Sequence, residues 1–245
     1  MKGVILAGGT GSRLHPLTSI TNKHLLPIYD RPMVSYAIEA LVEAGIKEIM
    51  LVTGGTHAGE FLRLLGNGHE FGIDLLSYAY QEEAGGIAEA LGLAERFVDG
   101  ERVCVMLADN VIEGSLRPSV EAFERQERGA RILLARIEDP EHLRHLGVAE
   151  LNGDRVIRIV EKPADPPSDL AVTGIYLYDA DVFGVIPTLV PSDRGELEIT
   201  DVNNWYVDQG VMEFDVLDSF WGDAGESIDA YYAVNDFVRS RRARP

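Results

Sequence analysis

Lys2-Gly-Val-Ile-Leu-Ala-Gly-Gly-Thr-Gly-Ser-Arg-Leu14 is the stretch on which the fold turns. Its first half is short, branched and apolar, the pattern of a parallel strand buried on both faces. Its second half packs Gly8, Gly9 and Gly11 around Thr10. Glycine accepts positive φ without steric cost, so such a loop can turn its N–H groups inward as an anion nest. A strand feeding a glycine loop is where a doubly wound sheet places a phosphate ligand. The same loop also reads as a tight strand-to-helix turn with no ligand. A dinucleotide fingerprint needs a further glycine near Leu14, and a Walker loop needs Gly-Lys-Ser/Thr; neither is present.

Working outward, strand and helix signals alternate. Val34 to Ala44 has helical spacing and is stopped by Gly45, and Glu48 to Val52 is a second buried strand. His57 to Leu65 reads as helix, Leu75 to Tyr80 as extended, Ile87 to Ala94 as helix, Arg102 to Leu107 as strand and Leu116 to Glu127 as helix. That alternation predicts an α/β fold: a Rossmann-like, mostly parallel sheet flanked by helices. The second half changes character. Asn152-Gly153-Asp154 lies between Val148–Leu151 and Val156–Glu161 and marks a hairpin, Ala171 to Tyr178 is a further strand, and Pro163 to Ser168 is a turn. A helix follows over Ile199 to Gln209, an extended run over Met212 to Asp218, and a closing helix over Ser227 to Arg242. The expectation is a single domain over 1–245 with an inserted antiparallel part. Its first, mostly parallel part covers about 1–115, its second part about 116–225 and its closing helix about 227–242.

The 245 residues carry 22 Lys+Arg against 40 Asp+Glu, a net charge of -18. That balance opposes non-specific binding to nucleic acid or an anionic membrane, so neither partner is expected. It also means that a polyphosphate is held only where local cations, backbone amides or a metal overcome the global repulsion. The lone Cys104 sits in an apolar strand and reads as inert packing. The first apolar run, Val4 to Ala7, is too short for a signal peptide, and no stretch approaches a membrane span, so a cytoplasmic location is expected.

Arg13 and Lys23 stand out as cations, because Lys23 is embedded in the rigid segment Thr21-Asn-Lys-His-Leu-Leu-Pro27. They would supply the two charges that a triphosphate demands. Leu6-Ala-Gly-Gly-Thr-Gly-Ser-Arg-Leu14 with Lys23-His-Leu-Leu-Pro27 closely resembles the signature of glucose-1-phosphate thymidylyltransferases. The likeness continues through Gln81, Leu107-Ala-Asp-Asn110, Val160-Glu-Lys-Pro163, Val172-Thr-Gly-Ile-Tyr176, Arg194-Gly-Glu-Leu-Glu-Ile-Thr-Asp201 and Trp221-Gly-Asp-Ala-Gly225.

The resemblance implies a nucleotidyltransferase of GT-A-like fold that joins dTTP or UTP to a hexose 1-phosphate and releases pyrophosphate. It implies a nucleotide site on Leu6, Gly8, Gly9, Thr10, Gly11, Ser12, Arg13 and Asp109, with Gln81 and Gly86 reading the base. It implies Mg2+ on Asp109 and Asp223, and Mg2+ is satisfied by one or two carboxylates plus phosphate oxygens and water. Lys162 would contact the sugar phosphate and Glu161 the sugar hydroxyls, with Gly147, Val172, Gly174 and Tyr176 completing the pocket. The expected catalytic set is therefore Arg13, Lys23, Asp109, Lys162 and Asp223, in a homodimer or homotetramer.

Four positions depart from the family pattern. His24 stands for a glutamine, Ala108 for a glycine, Leu146 for an aromatic and Ala224 for a threonine. The longer helical tail that carries a second, regulatory nucleotide site in larger members has no counterpart before Pro245, so feedback through that site is not expected. A non-catalytic nucleotide-sugar sensor and a nicotinamide oxidoreductase are the rival classes. The five charged residues argue against the first and the missing glycine against the second.

Three features are read as structural. His142-Leu-Arg-His145 reads as a solvated face. Arg239, Arg241, Arg242 and Arg244 read as cations favoured by a helix C-terminus. Trp205 and Tyr206 read as core or subunit contacts.

Overall fold

The computed structural model describes residues 1–242. Strand β1 (Lys2–Ala7) leads through the glycine loop to two short strands, β2 (Pro27–Ile28) and β3 (Arg31–Pro32), and to helix α1 (Val34–Glu43). Next come β4 (Glu48–Gly54), α2 (Ala58–Leu65), β5 (Leu75–Gln81), α3 (Ile87–Gly92), α4 (Glu95–Val98), β6 (Val103–Leu107), β7 (Asn110–Ile112) and α5 (Arg117–Arg125). The second half runs β8 (Ala130–Arg136), α6 (Pro140–Leu143), β9 (Gly147–Asn152), β10 (Arg155–Glu161), β11 (Leu170–Tyr178), α7 (Val182–Val185) and α8 (Ile199–Asp208). Strands β12 (Met212–Val216) and β13 (Trp221–Asp223) and helix α9 (Ile228–Arg242) follow. Arg244 lies outside the described residues.

A nine-stranded sheet organises these elements in the order β10-β9-β11-β6-β1-β4-β5, with β8 pairing β11 and β12. The pairs β1–β4, β1–β6 and β4–β5 are parallel, as the alternation predicted. Strand β11 joins the halves: it runs antiparallel to β6 on one side and to β8 on the other. Between Val172 and Tyr176 its register on β8 shifts, and before that shift Ala171 pairs Ala135 of β8 on one side and Val148 of β9 on the other. The sheet is covered on both faces, so alternate residues of one strand enter different cores. Val4 and Leu6 pack with Ala88 and Leu91 of α3 and with Val202 and Tyr206 of α8. Ile5 and Ala7 pack with Val34, Ala37, Ile38 and Leu41 of α1.

Cys104 is fully buried in the second of these cores, and burial pushes its thiol up to about 12, so packing is its role. Tyr206 is core as expected, its ring against Tyr178 and its hydroxyl donating to Asp179 at 2.8 Å. The helix predicted over Ile87 to Ala94 forms as α3 over Ile87–Gly92, and a short further helix, α4, follows at Glu95–Val98. No helix among the described residues is long and apolar enough to cross a membrane.

Leu51 of β4, paired beside Ile5 of β1, is fully buried in the second core. Leu51→Ala is expected to destabilise by about 2–5 kcal/mol, read as a fall in the urea midpoint at unchanged slope. A loss below about 1 kcal/mol would mean that this core is looser than its burial indicates.

Candidate active site

The strands β1, β5 and β6 end at one edge of the sheet, where ligands gather in open α/β folds. A cleft of about 550 Å³ opens there, and Leu6, Gly8, Gly9, Thr10, Gly11, Ser12, Arg13, Lys23, Gln81, Gly86 and Asp109 line one part of it. Gly147, Glu161, Lys162, Val172, Gly174, Tyr176 and Asp223 line the rest. Every residue singled out from the sequence as a site candidate thus borders the same cleft.

The loop after β1 does what its glycines predicted. Gly9 and Gly11 have φ of 93° and 64°, in the region glycine favours. Thr18 braces the loop by donating to the Gly11 carbonyl at 2.8 Å. Among the described residues the N–H groups of Gly9, Thr10 and Gly11 have no partner in the protein, so they remain available to an anion. Arg13, exposed at the end of the loop, adds a charge at the mouth.

Asp109 follows β6, and its side chain is almost wholly enclosed. Lys23 Nζ donates to its Oδ2 at 2.5 Å, and the His24 ring lies 3.8 Å away. Burial alone would raise the Asp109 carboxyl, but the Lys23 charge and the adjacent His24 hold it well below the usual carboxylate range. Burial also pushes the His24 imidazole down, against the pull of Asp109.

Asp223 arrives from the far end of the chain. Strand β13 pairs with β7, and this places Asp223 opposite Asn110. The Ala224 N–H donates to the Asp109 carbonyl at 2.9 Å, and the Gly225 N–H to Asp223 Oδ1 at 2.8 Å. Gly225 has to be glycine: a Cβ there would collide with the Asp109 carboxylate and stand 2.8 Å from Lys23 Nζ. Burial, and then the charge of Asp109, pushes the Asp223 carboxyl up to about 7. Two acids so close that one raises the other, beside a cleft rich in donors, suit a small divalent cation, which also takes phosphate oxygens and water.

The other wall is built by the antiparallel part. Lys162 has φ of 44°, an uncommon left-handed backbone for a lysine, and Pro163 after it disfavours the ordinary helical alternative. Such a conformation costs of the order of 1–3 kcal/mol and gathers at functional sites. Its Nζ lies 3.6 Å from Glu161 Oε1. Thr200, at the start of α8, donates to Glu161 Oε2 at 2.7 Å and so fixes that carboxylate.

Some contributors carried no assigned role in the sequence reading. Asn110 Oδ1 accepts from Trp221 Nε1 at 2.6 Å and from the Gly174 N–H at 3.0 Å, while Nδ2 donates to Asp109 Oδ1 at 3.2 Å. It thereby ties β7, β13 and β11 to the acid. Gly174 permits this approach, since a Cβ would meet Asn110 Nδ2 at 2.7 Å. Arg194 forks onto both oxygens of Glu198 at 2.9 Å and reaches within 4.0 Å of Glu161. The dense charge of Arg194-Gly-Glu-Leu-Glu198 was the available signal.

The pattern that defines nucleotidyl transferases matches residues 2–241. The chain belongs to the nucleotidyl transferase family. It is 44% identical over 244 residues to a glucose-1-phosphate thymidylyltransferase of Actinoplanes sp., covering 98% of this chain and 78% of that one. The counterpart from Neisseria meningitidis is 41% identical over 244 residues, covering 98% and 83%. A Bacillus anthracis protein provisionally assigned the same activity and crystallised with sucrose superposes with a TM-score of 0.92 at 48% identity, over 98% of this chain and 95% of that one. A UDP-glucose pyrophosphorylase structure, 24% identical, shares the fold at a TM-score of 0.84. As a nucleotidyl transferase the chain is an enzyme, and enzymes of this family use a divalent metal. Asp109 and Asp223 are the residues that would hold it.

His142 departs from the solvated face predicted for it. From α6 its Nε2 meets Glu226 Oε2 at 2.7 Å, linking the 139–146 segment to the loop after Asp223. That hydrogen bond raises the imidazole above its ordinary value, against a smaller penalty from burial. A group raised on folding stabilises fully below its unfolded value, near 6.5 for histidine, and loses that contribution as pH climbs through the folded value. The gain in thermal stability of the wild type over Glu226→Gln is therefore expected to be larger at pH 6 than at pH 9. An equal gain at both would show that the pair carries no charge-dependent stabilisation.

Proposed function

We propose that this nucleotidyl transferase is a glucose-1-phosphate thymidylyltransferase, forming dTDP-glucose and pyrophosphate from dTTP and glucose 1-phosphate. Transfer of a nucleoside monophosphate to a sugar 1-phosphate follows from its family and relatives. The observation that carries the reading is the pairing of two walls on one cleft. One wall holds the free N–H groups of the glycine loop, Lys23 and the two acids; the other holds Glu161 and the strained Lys162.

The chemistry asked of the chain is positioning and charge neutralisation. A phosphate oxygen of the sugar phosphate is already anionic at neutral pH, so it attacks the α-phosphorus without a strong general base. Pyrophosphate leaves on the opposite side as the attacking oxygen takes its place on phosphorus. Arg13 and Lys23 neutralise the departing pyrophosphate, and the glycine-loop N–H groups orient the triphosphate before attack. Lys162 orients the attacking phosphate, and Glu161, held by Thr200, accepts from sugar hydroxyls. Gly147, Val172, Gly174 and Tyr176 shape the sugar pocket, while Gln81 and Gly86 read the base. Mg2+ held by Asp109 and Asp223, when bound, supplies Lewis-acid neutralisation of the phosphate oxygens. The homodimer or homotetramer and the cytoplasmic location implied by the resemblance belong to this proposal.

A pyrophosphate-release assay over a matrix of nucleoside triphosphates and hexose 1-phosphates, with and without Mg2+, tests it. The highest kcat/KM is expected for dTTP with glucose 1-phosphate, and turnover is expected to stop when the metal is chelated. Binding of nucleotide sugar without pyrophosphate release under any condition would favour a sensor instead. Lys162→Ala is expected to raise KM for glucose 1-phosphate about 10- to 100-fold, the loss of one charged hydrogen bond, with dTTP affinity changed far less. Equal losses on both substrates would refute that division of roles.

A further inference from the structure

Gln81 closes β5 at the cleft with only 7% of its surface exposed. Its amide nitrogen is fully engaged: Nε2 donates to Glu89 Oε2 at 2.5 Å and to the Gly86 carbonyl at 3.2 Å. A carboxylate and a peptide carbonyl accept hydrogen bonds and donate none. Turning the amide over would therefore set its oxygen against two oxygens and strand two acceptors. With the nitrogen so held, Oε1 is directed at the glycine loop, and a Cβ built on Gly8 would stand 2.9 Å from it. Among the described residues Oε1 accepts no hydrogen bond from the protein.

Glu89 owes its reach to a glycine. It springs from the first turn of α3 and folds back beneath the preceding turn, where a Cβ on Gly85 would collide with its carboxylate. The Gly86 carbonyl and Glu89 thus converge on one amide from opposite ends of the turn that opens α3.

We infer that Glu89 is a positioning residue: it locks the Gln81 amide with its oxygen toward the cleft, and so selects a pyrimidine that presents an N–H at ring position 3. The inference rests on the proposed reading in which Gln81 meets the base. Thymine and uracil carry hydrogen on that nitrogen and can donate to Oε1. Cytosine carries a lone pair there, which would face the amide oxygen acceptor to acceptor. Without Glu89 only the Gly86 carbonyl, at 3.2 Å, still holds the amide nitrogen, so the amide turns at lower cost and can offer its NH2 group instead, which welcomes cytosine. The lock does not separate thymine from uracil, whose imide edges are alike.

The test compares kcat/KM for dTTP and dCTP at saturating glucose 1-phosphate and Mg2+, in the full-length wild type, Glu89→Ala and Gln81→Ala. Glu89→Ala is expected to narrow the dTTP-over-dCTP ratio at least tenfold, through a gain with dCTP as well as a loss with dTTP. A merely structural role would lower both substrates together and leave the ratio in place. A ratio within twofold of wild type in Glu89→Ala, while Gln81→Ala narrows it, overturns the positioning role and leaves Gln81 as the base reader. A ratio that Gln81→Ala also leaves unmoved overturns the base-reading role itself, and the inference with it. If thermal unfolding shows that Glu89→Ala does not fold, Glu89→Gln decides in its place. That variant keeps the volume but can face Gln81 with either end of its own amide, so it too is expected to narrow the ratio, and an unchanged ratio overturns the inference.

Discussion

Two carboxylates held close together, one of them paired to a lysine, form the constraint around which this molecule is arranged. Asp109 and Asp223 meet where the parallel sheet ends, and the charge of the first helps to keep a proton on the second up to about pH 7. Lys23 settles on Asp109 and relieves part of the conflict. A buried charge that loses its partner is worth several kcal/mol of destabilisation, so the lysine is well placed while no ligand is bound. On the proposed reading a divalent ion would be held by the two acids, and Lys23 would then be free to neutralise phosphate oxygens. A chain of net charge -18 can hold a triphosphate on these terms, since the charge that matters is local.

The sheet exists in two dialects because the cleft needs two walls. Parallel strands β1, β4, β5 and β6 send their loops to one edge, which suits phosphates and a base. The antiparallel strands β9 and β10 carry Gly147 and Glu161 in register with each other, which suits a small ring with hydroxyls. Strand β11 belongs to both, and its break in register places Gly174 where Asn110 can hold it. Asn110 in turn restrains Asp109 and Trp221. One residue therefore joins the acid, strand β11 and the strand that brings Asp223 by hydrogen bonds.

Much of this was legible in the sequence, and what was not had a physical reason. The β1 strand and its loop are local features: branched apolar residues followed by glycines admit few other readings. Asp109 was legible through Leu107-Ala-Asp-Asn110, one of the motifs that carry the family resemblance. Strand β8 was not recognised, although Ile132, Leu133 and Leu134 are buried. Its apolar run lies between Arg131 and Arg136 of the same strand, and Arg131 is buried only because Glu213 and Asp215 of β12 pair with it from more than eighty residues away. The partnership of β7 with β13 is equally remote, so no local pattern announces that Asp223 will face Asn110. His142 reads as solvated in the sequence because Glu226, its partner, lies on a loop whose position only the fold supplies. The motifs themselves came through intact, whereas Thr200, Asn110 and Arg194 show their roles only once the walls are assembled.

The most direct test of the two-acid centre is a crystal of the enzyme with Mn2+ and dTTP, measured at a wavelength where manganese scatters anomalously. The account predicts an anomalous peak at coordination distance from both Asp109 and Asp223, with Lys23 Nζ moved from Asp109 onto a phosphate oxygen. A peak remote from either carboxylate, or Lys23 still paired to Asp109 with nucleotide bound, would contradict it.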